Sequence, residues 1–136
     1  MSKIEGPKKL RKRAQFCANL YEIDPVVNIY WGELQDESSV VRDDNGYYTI
    51  EIAPWMKKDK RELIRTIGHE MTHVWQYERG ALISLPEESR YVWNDKKHER
   101  ILFIEDYYLA PWEMEARARM EWVEYKWSSR CRTQKN

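Results

Sequence analysis

Gly68-His-Glu-Met-Thr-His-Val-Trp75 is the stretch on which the reading of this chain turns. Two histidines four apart on one helix stand on the same face, one turn apart, with Cβ atoms about 5–6 Å from each other. That spacing lets His69 and His73 reach one ion at about 2.0–2.1 Å from their ring nitrogens, as zinc requires. Glu70 is turned about 100° from His69, so it need not be a ligand. It can flank the position left for water and take that water's proton. The bland alternative is a helix with two histidines and a glutamate on a wet face, and the flanking sequence has to decide.

Outward from the motif, Asp59 is suited to an N-cap, no proline follows for two dozen positions, and Gly80 offers a C-terminal stop. A helix over residues 60–79 is predicted. At 100° per residue Ile64, Ile67, Met71 and Val74 gather on one stripe, while His69 and His73 lie opposite with Glu62, Thr66 and Gln76. The histidines are therefore expected to face solvent or a cleft, outside the main core. Gly68 inside the helix costs about 1 kcal/mol relative to alanine, which implies that another backbone comes close there.

A zinc site needs a third protein ligand, and no further histidine follows His73 within a turn or two. Pro111-Trp-Glu-Met-Glu-Ala-Arg-Ala-Arg-Met120 opens with a proline suited to a first helical turn and predicts a helix to about residue 127. Its apolar stripe is Ala116, Met120, Val123 and Trp127. Glu113 projects beside that stripe at the N-terminal end and is the expected ligand. Glu115 projects to the other side, towards a surface pair with Arg119, and together with His98 it is the alternative. Without the upstream histidines, Glu113 would be read as a carboxylate favoured by the helix dipole.

His69-Glu-x-x-His73 followed by Pro111-Trp-Glu113-x-Glu-Ala116 resembles the gluzincin group of metallopeptidases, especially small metallopeptidases encoded by tailed phages. In those proteins a hairpin with a Trp-Asn-Gly-Lys-Lys-like turn leads into a Pro-Trp-Glu-x-Glu-Ala helix, which Trp93-Asn-Asp-Lys-Lys97 and residues 111–116 resemble. The likeness covers about residues 45 to 125. It implies a minimal zincin-like domain of α+β class and one zinc ion held by His69, His73 and Glu113. The implied activity is hydrolysis of peptide bonds, with Glu70 as general base. Several gluzincins carry an aspartate four residues after the glutamate ligand to orient a histidine. This chain has Arg117 there, so support for the ligands must come from elsewhere.

With 136 residues, one domain with a real core is expected. Seven tryptophans and nine tyrosines are expected to supply much of that core. Basic and acidic residues cancel at 23 each, so no global field draws nucleic acid or an acidic substrate. Cys17 and Cys131 are neither a disulfide framework nor a Cys-x-x-Cys site. They read as free thiols in a reducing compartment, with Cys17 packed against the first helix's neighbours. No apolar run suggests a membrane span, and the basic N-terminus lacks the hydrophobic segment of a signal peptide. A cytoplasmic location, that of an infected host cell if the chain is phage-encoded, is expected.

Residues 8–22 predict a first helix with Leu10, Ala14, Cys17 and Tyr21 on one face. Residues 26–34 predict a strand, and residues 40–42 and 47–52 flank the Asn45-Gly46 turn signal of a hairpin. A small antiparallel sheet is expected, with 47–52 either an exposed edge able to pair with an extended peptide or a strand paired within the sheet. A weaker hairpin of 90–93 with 100–104 is expected around Asn94-Asp95. Residues 1–6 and 129–136 read as tails.

In the mechanism these expectations outline, Glu70 takes the proton of a zinc-polarised water and passes it to the leaving amine. Tyr107 and Tyr108 are conceivable oxyanion donors, with a core role favoured for both. Two other functions compete. A metal-stabilised structural or interaction protein would keep the ligands but have no need of Glu70. A nucleic-acid-linked protease is suggested by Lys8, Lys9, Arg11, Lys12 and Arg13, although such a run is commonly a solvated helix face. A protein or peptide partner is the expectation, without membrane or nucleic acid.

Overall fold

Period-two alternation organises the first third of the chain. In the computed structural model, which describes residues 3–33, 37–101 and 103–134 and side chains as far as 130, Val27 and Ile29 of β2 (Val27–Trp31) are buried. So are Tyr48, Ile50 and Ile52 of β4 (Tyr48–Ile52), whereas Asn28, Tyr30 and Thr49 are exposed on the other face. The architecture is α+β, as expected. The first sheet is mixed, however, with strand order β1-β2-β4-β3. β1 (Ile4–Glu5), in a segment expected to be a tail, runs parallel to β2, and β2 runs parallel to β4. Only β3 (Ser39–Arg42) is antiparallel to its neighbour, across the expected Asn-Gly turn, where the Asp43 carboxylate accepts from the amides of Asn45 and Tyr47.

The expected all-antiparallel sheet is thus corrected, and the reason is connectivity. Parallel neighbours are joined by long crossovers, here a helix over Lys8–Tyr21 between β1 and β2 and the excursion through β3 between β2 and β4, and no local turn signal announces them. Of the two places open to segment 47–52, edge or interior, the structure gives the interior one, between β2 and β3, and the edges are β1 and β3. Leu34, at the end of the expected strand 26–34, lies outside the described residues.

Helix α1 (Lys8–Tyr21) buries Leu10, Ala14, Cys17 and Tyr21 and ends where Glu22 turns left-handed at φ 55°. Burial pushes the Cys17 thiol up to about 12, so it is an inert core group. The side chain of Cys131 lies outside those described. Within the basic run, Lys8, Arg11 and Lys12 are exposed, while Lys9 donates to the Lys57 carbonyl and Arg13 lies over Trp127.

α2 (Lys60–Glu78) begins as predicted, with the Asp59 carboxylate accepting from the Glu62 amide at 3.1 Å. Its stripe of Ile64, Ile67, Met71 and Val74 is buried against the sheet and α1. Thr72 donates to the Gly68 carbonyl, so the Tyr21 hydroxyl donates to Thr72 at 2.7 Å and ties α1 to α2. The other side of α2 is covered by α4 (Pro111–Gln134), which continues through most of the segment expected to be a tail. The two helices cross closely at Gly68. A Cβ there would lie 2.9 Å from Cβ and Cγ1 of Val123, so a side chain, not the backbone inferred from sequence, fills the space.

The main core is aliphatic. Most aromatic rings ring it instead of filling it, contrary to expectation, with Tyr48 and Tyr21 the exceptions there. A second sheet consists of β5 (Leu82–Leu85), β6 (Arg90–Trp93) and β7 (Lys96–Lys97), all antiparallel. Asn94 and Asp95, at φ 48° and 70°, make a two-residue turn that sets Trp93 opposite Lys96. The partner of β6 is therefore not 100–104. Ile104 instead starts the short helix α3 (Ile104–Leu109), and Leu102 lies outside the described residues. Leu82, Ala110 and Trp112 form a separate small core beneath this sheet, flanked by Tyr77, Tyr91, Trp93 and Ile101. Among the described residues no helix is long and apolar enough to cross a membrane.

Candidate metal centre

The two predicted ligand helices meet face to face. Glu113, in the first turn of α4, places Oε1 at 3.0 Å from His69 Nε2 and Oε2 at 3.1 Å from His73 Nε2. The two imidazole rings are edge-to-face, with centroids 5.0 Å apart. One ligand atom from each of the three side chains falls within 4.8 Å of the others, so the group could hold a metal ion. An ion bound tetrahedrally at about 2.0–2.1 Å asks for donor atoms about 3.3 Å apart, and the two imidazole–carboxylate separations, one to each oxygen of Glu113, are close to that. Two imidazoles with one carboxylate also neutralise a dication better than three neutral groups would. The donor set and its spacing fit a divalent cation.

The histidines lie outside the main core and face a cleft, one of the two settings the sequence allowed, with His73 lining one cavity and His69 another. Because α4 closes over that face of α2, His73 is only 6% exposed and Glu113 only 4%. Burial opposes ionisation of Glu113, but hydrogen bonds from both histidines outweigh it and bring the carboxyl down to about 2. Burial likewise opposes charge on His73, and the Glu113 carboxylate overcomes it and raises the ring above its ordinary value.

Glu70 is 7% exposed, and burial raises its carboxyl above the usual range, the neighbouring His73 and His69 only partly opposing this. Two cavities, of about 390 and 570 Å³, open on either side of the cluster and meet at Glu70, Tyr107 and Glu113. The first runs past Ser39 and Val40 of β3 to Tyr91 and Trp112; the second passes His69, Tyr108 and Arg117. A carboxyl raised by burial and set where two cavities join is the kind of perturbed group found at functional sites.

The alternatives for the third ligand fall elsewhere. His98 packs edge-to-face on Trp112 with ring centroids 5.2 Å apart, and Glu115 pairs with Arg79 and Arg119. Tyr107 and Tyr108 are not core residues, both being well exposed. Burial of its hydroxyl, with Glu113 and Glu70 nearby, pushes Tyr107 well above the usual tyrosine range.

Sequence reasoning missed the contacts of Gln76. Its Oε1 lies 2.8 Å from His73 Nδ1, and its Nε2 donates to the Trp112 carbonyl at 2.9 Å and to Glu115 Oε1 at 3.0 Å. A signal was available, since Gln76 shares the helix face of both histidines, one turn beyond His73. No protein-family model, curated protein or solved structure matches the chain, which leaves the site's own residues to speak for its chemistry.

Proposed function

We propose that this chain is a metal-dependent hydrolase of peptide bonds, with zinc as the resident ion and an extended peptide as substrate. The observation that carries the reading is Glu113 at 3.0 and 3.1 Å from the two histidines, with a buried glutamate beside them where two cavities join. The likeness of residues 45–125 to gluzincins points the same way. His69, His73 and Glu113 hold the ion, which when bound supplies Lewis acidity towards a water and a scissile carbonyl.

The chain's own residues do the rest. Glu70 removes the proton of the attacking water and returns it to the leaving amine, a transfer that its raised pKa favours. The Tyr107 hydroxyl, facing both cavities, is protonated at neutral pH and donates to the developing oxyanion. β3 is an edge of the first sheet and its Ser39 and Val40 line the first cavity, so a substrate strand adds to β3.

Metal analysis and a proteolysis screen of the wild type and Glu70→Gln test the reading together. Zinc retained by both, with cleavage reduced about 10²–10⁴-fold in the variant, is the expected result. Zinc retained with no cleavage of any protein or peptide by the wild type would favour a metal-stabilised interaction protein instead.

A further inference from the structure

We propose that Gln76 is a positioning residue for the metal centre and that Glu115 holds it in register. The inference rests on His69, His73 and Glu113 being the ligands. A primary amide offers two donor hydrogens on nitrogen and an acceptor oxygen. Both donors of Gln76 are committed, to the Trp112 carbonyl and to the Glu115 carboxylate, and neither partner can donate in return. The amide orientation is thereby assigned, with Oε1 directed at His73 Nδ1. A carbonyl oxygen only accepts, so Nδ1 carries the hydrogen and Nε2 is the nitrogen left to bind metal, on the side where Glu113 lies.

Gln76 is fully buried and its bonds to His73 and the Trp112 carbonyl are shielded from solvent, while the one to Glu115 ends at a partly exposed carboxylate. It touches the ring of one ligand and, through the Trp112 carbonyl, the peptide next to another. One amide therefore sets the His73 ring and the first turn of α4 together. Glu115 is itself anchored, by Arg79 at 3.2 Å and Arg119 at 4.0 Å, and both guanidinium groups lie over the Trp75 ring, at 4.1 and 4.4 Å. Arg117, standing where several gluzincins have a histidine-orienting aspartate, instead donates to the Tyr108 carbonyl.

Competition with a chromophoric chelator, on the full chain loaded with cobalt, tests this without any substrate. Gln76→Met keeps the side-chain length and removes all three hydrogen bonds. It is expected to lose about 10–100-fold in metal affinity and to change the visible cobalt spectrum, beyond the fall in metal-free melting temperature that comes from leaving His73 Nδ1 and the Trp112 carbonyl without partners. Glu115→Ala is expected to loosen the metal several-fold, and Glu115→Gln, which keeps an acceptor, to restore most of it. Wild-type affinity and spectrum in both Gln76→Met and Glu115→Ala overturn the proposal, and Glu115→Ala alone decides if Gln76→Met does not fold. A wild type that takes up no cobalt overturns it together with the metal centre. A wild type that binds metal but cleaves nothing sinks only the hydrolase reading, since the affinity comparisons need no cleavage.

Discussion

The body of the molecule and the lobe formed by residues 81–112 are held by different kinds of packing. In the body, the stripe of α2 and the inner faces of β2 and β4 bury a continuous aliphatic core. Among the described residues of the lobe only Ala81, Leu82, Ala110 and Trp112 are buried, and Phe103, Ile104 and Leu109 are exposed. Two of the candidate ligands, His69 and His73, come from the body, and the third, Glu113, follows Trp112, where the lobe joins α4. A thin lobe is thus fastened to a thick body at the candidate site, and an ion there would stitch the two together.

The hardest blow to this contrast is Ile67→Ala, in the body. It should cost about 2–5 kcal/mol in urea unfolding and speed amide exchange everywhere. Trp112→Ala should instead accelerate exchange mainly in β5, β6 and β7 and weaken metal binding, with less effect on the global transition. Equal global losses in the two variants would erase the distinction. Next comes metal removal. An ion at 100 times its dissociation constant stabilises by about 2.7 kcal/mol, a gain that chelation should reverse in a thermal melt, with newly fast amides concentrated in the lobe and the first turn of α4. A chelated protein whose melt and exchange match the loaded one would show that nothing is stitched.

Gly68→Ala sharpens the contrast at the junction of the two helices. Overpacking against Val123 should cost about 1–3 kcal/mol, offset in part by about 1 kcal/mol of helix propensity; a more stable variant would mean that α4 yields freely. The smallest effect is that of pH on the chelated protein. His73, raised above 6.5, stabilises fully below pH 6.5 and loses its contribution as pH climbs through the raised value. Glu113, at about 2 against an ordinary 4.5, stabilises above pH 4.5 and loses its contribution as pH falls towards 2. Stability should peak between those limits, towards the acid end because Glu70, raised from 4.5 by burial, adds a penalty as pH rises. Metal should reverse the alkaline limb, since the ring sheds its proton on binding. Melting temperatures across pH, with and without metal, check both signs.

What the sequence disclosed follows the range of the forces involved. α2 was legible because its cap, its stripe and its histidine pair are all local to one helix. Glu113 was legible because Pro111-Trp112 marks a helix start, and the hairpin of β3 and β4 because Asn45-Gly46 is a turn in itself. The parallel pairing of β2 with β4 was not, since it depends on strands far apart in sequence. Neither was α3, whose side chains are exposed and carry no stripe. The bonds of Gln76 to Trp112 and Glu115 join residues on different helices, which no periodicity records.

The close crossing at Gly68 and Val123 also makes α4 a lever with its fulcrum at that contact. Glu113 lies ten residues from Val123, or about 15 Å at 1.5 Å per residue. A tilt of about 5° would swing its carboxylate by roughly 1 Å, a displacement that can cost a reaction about 10²-fold. One methyl group placed at the fulcrum could therefore disarm the site from a position that touches neither ion nor substrate.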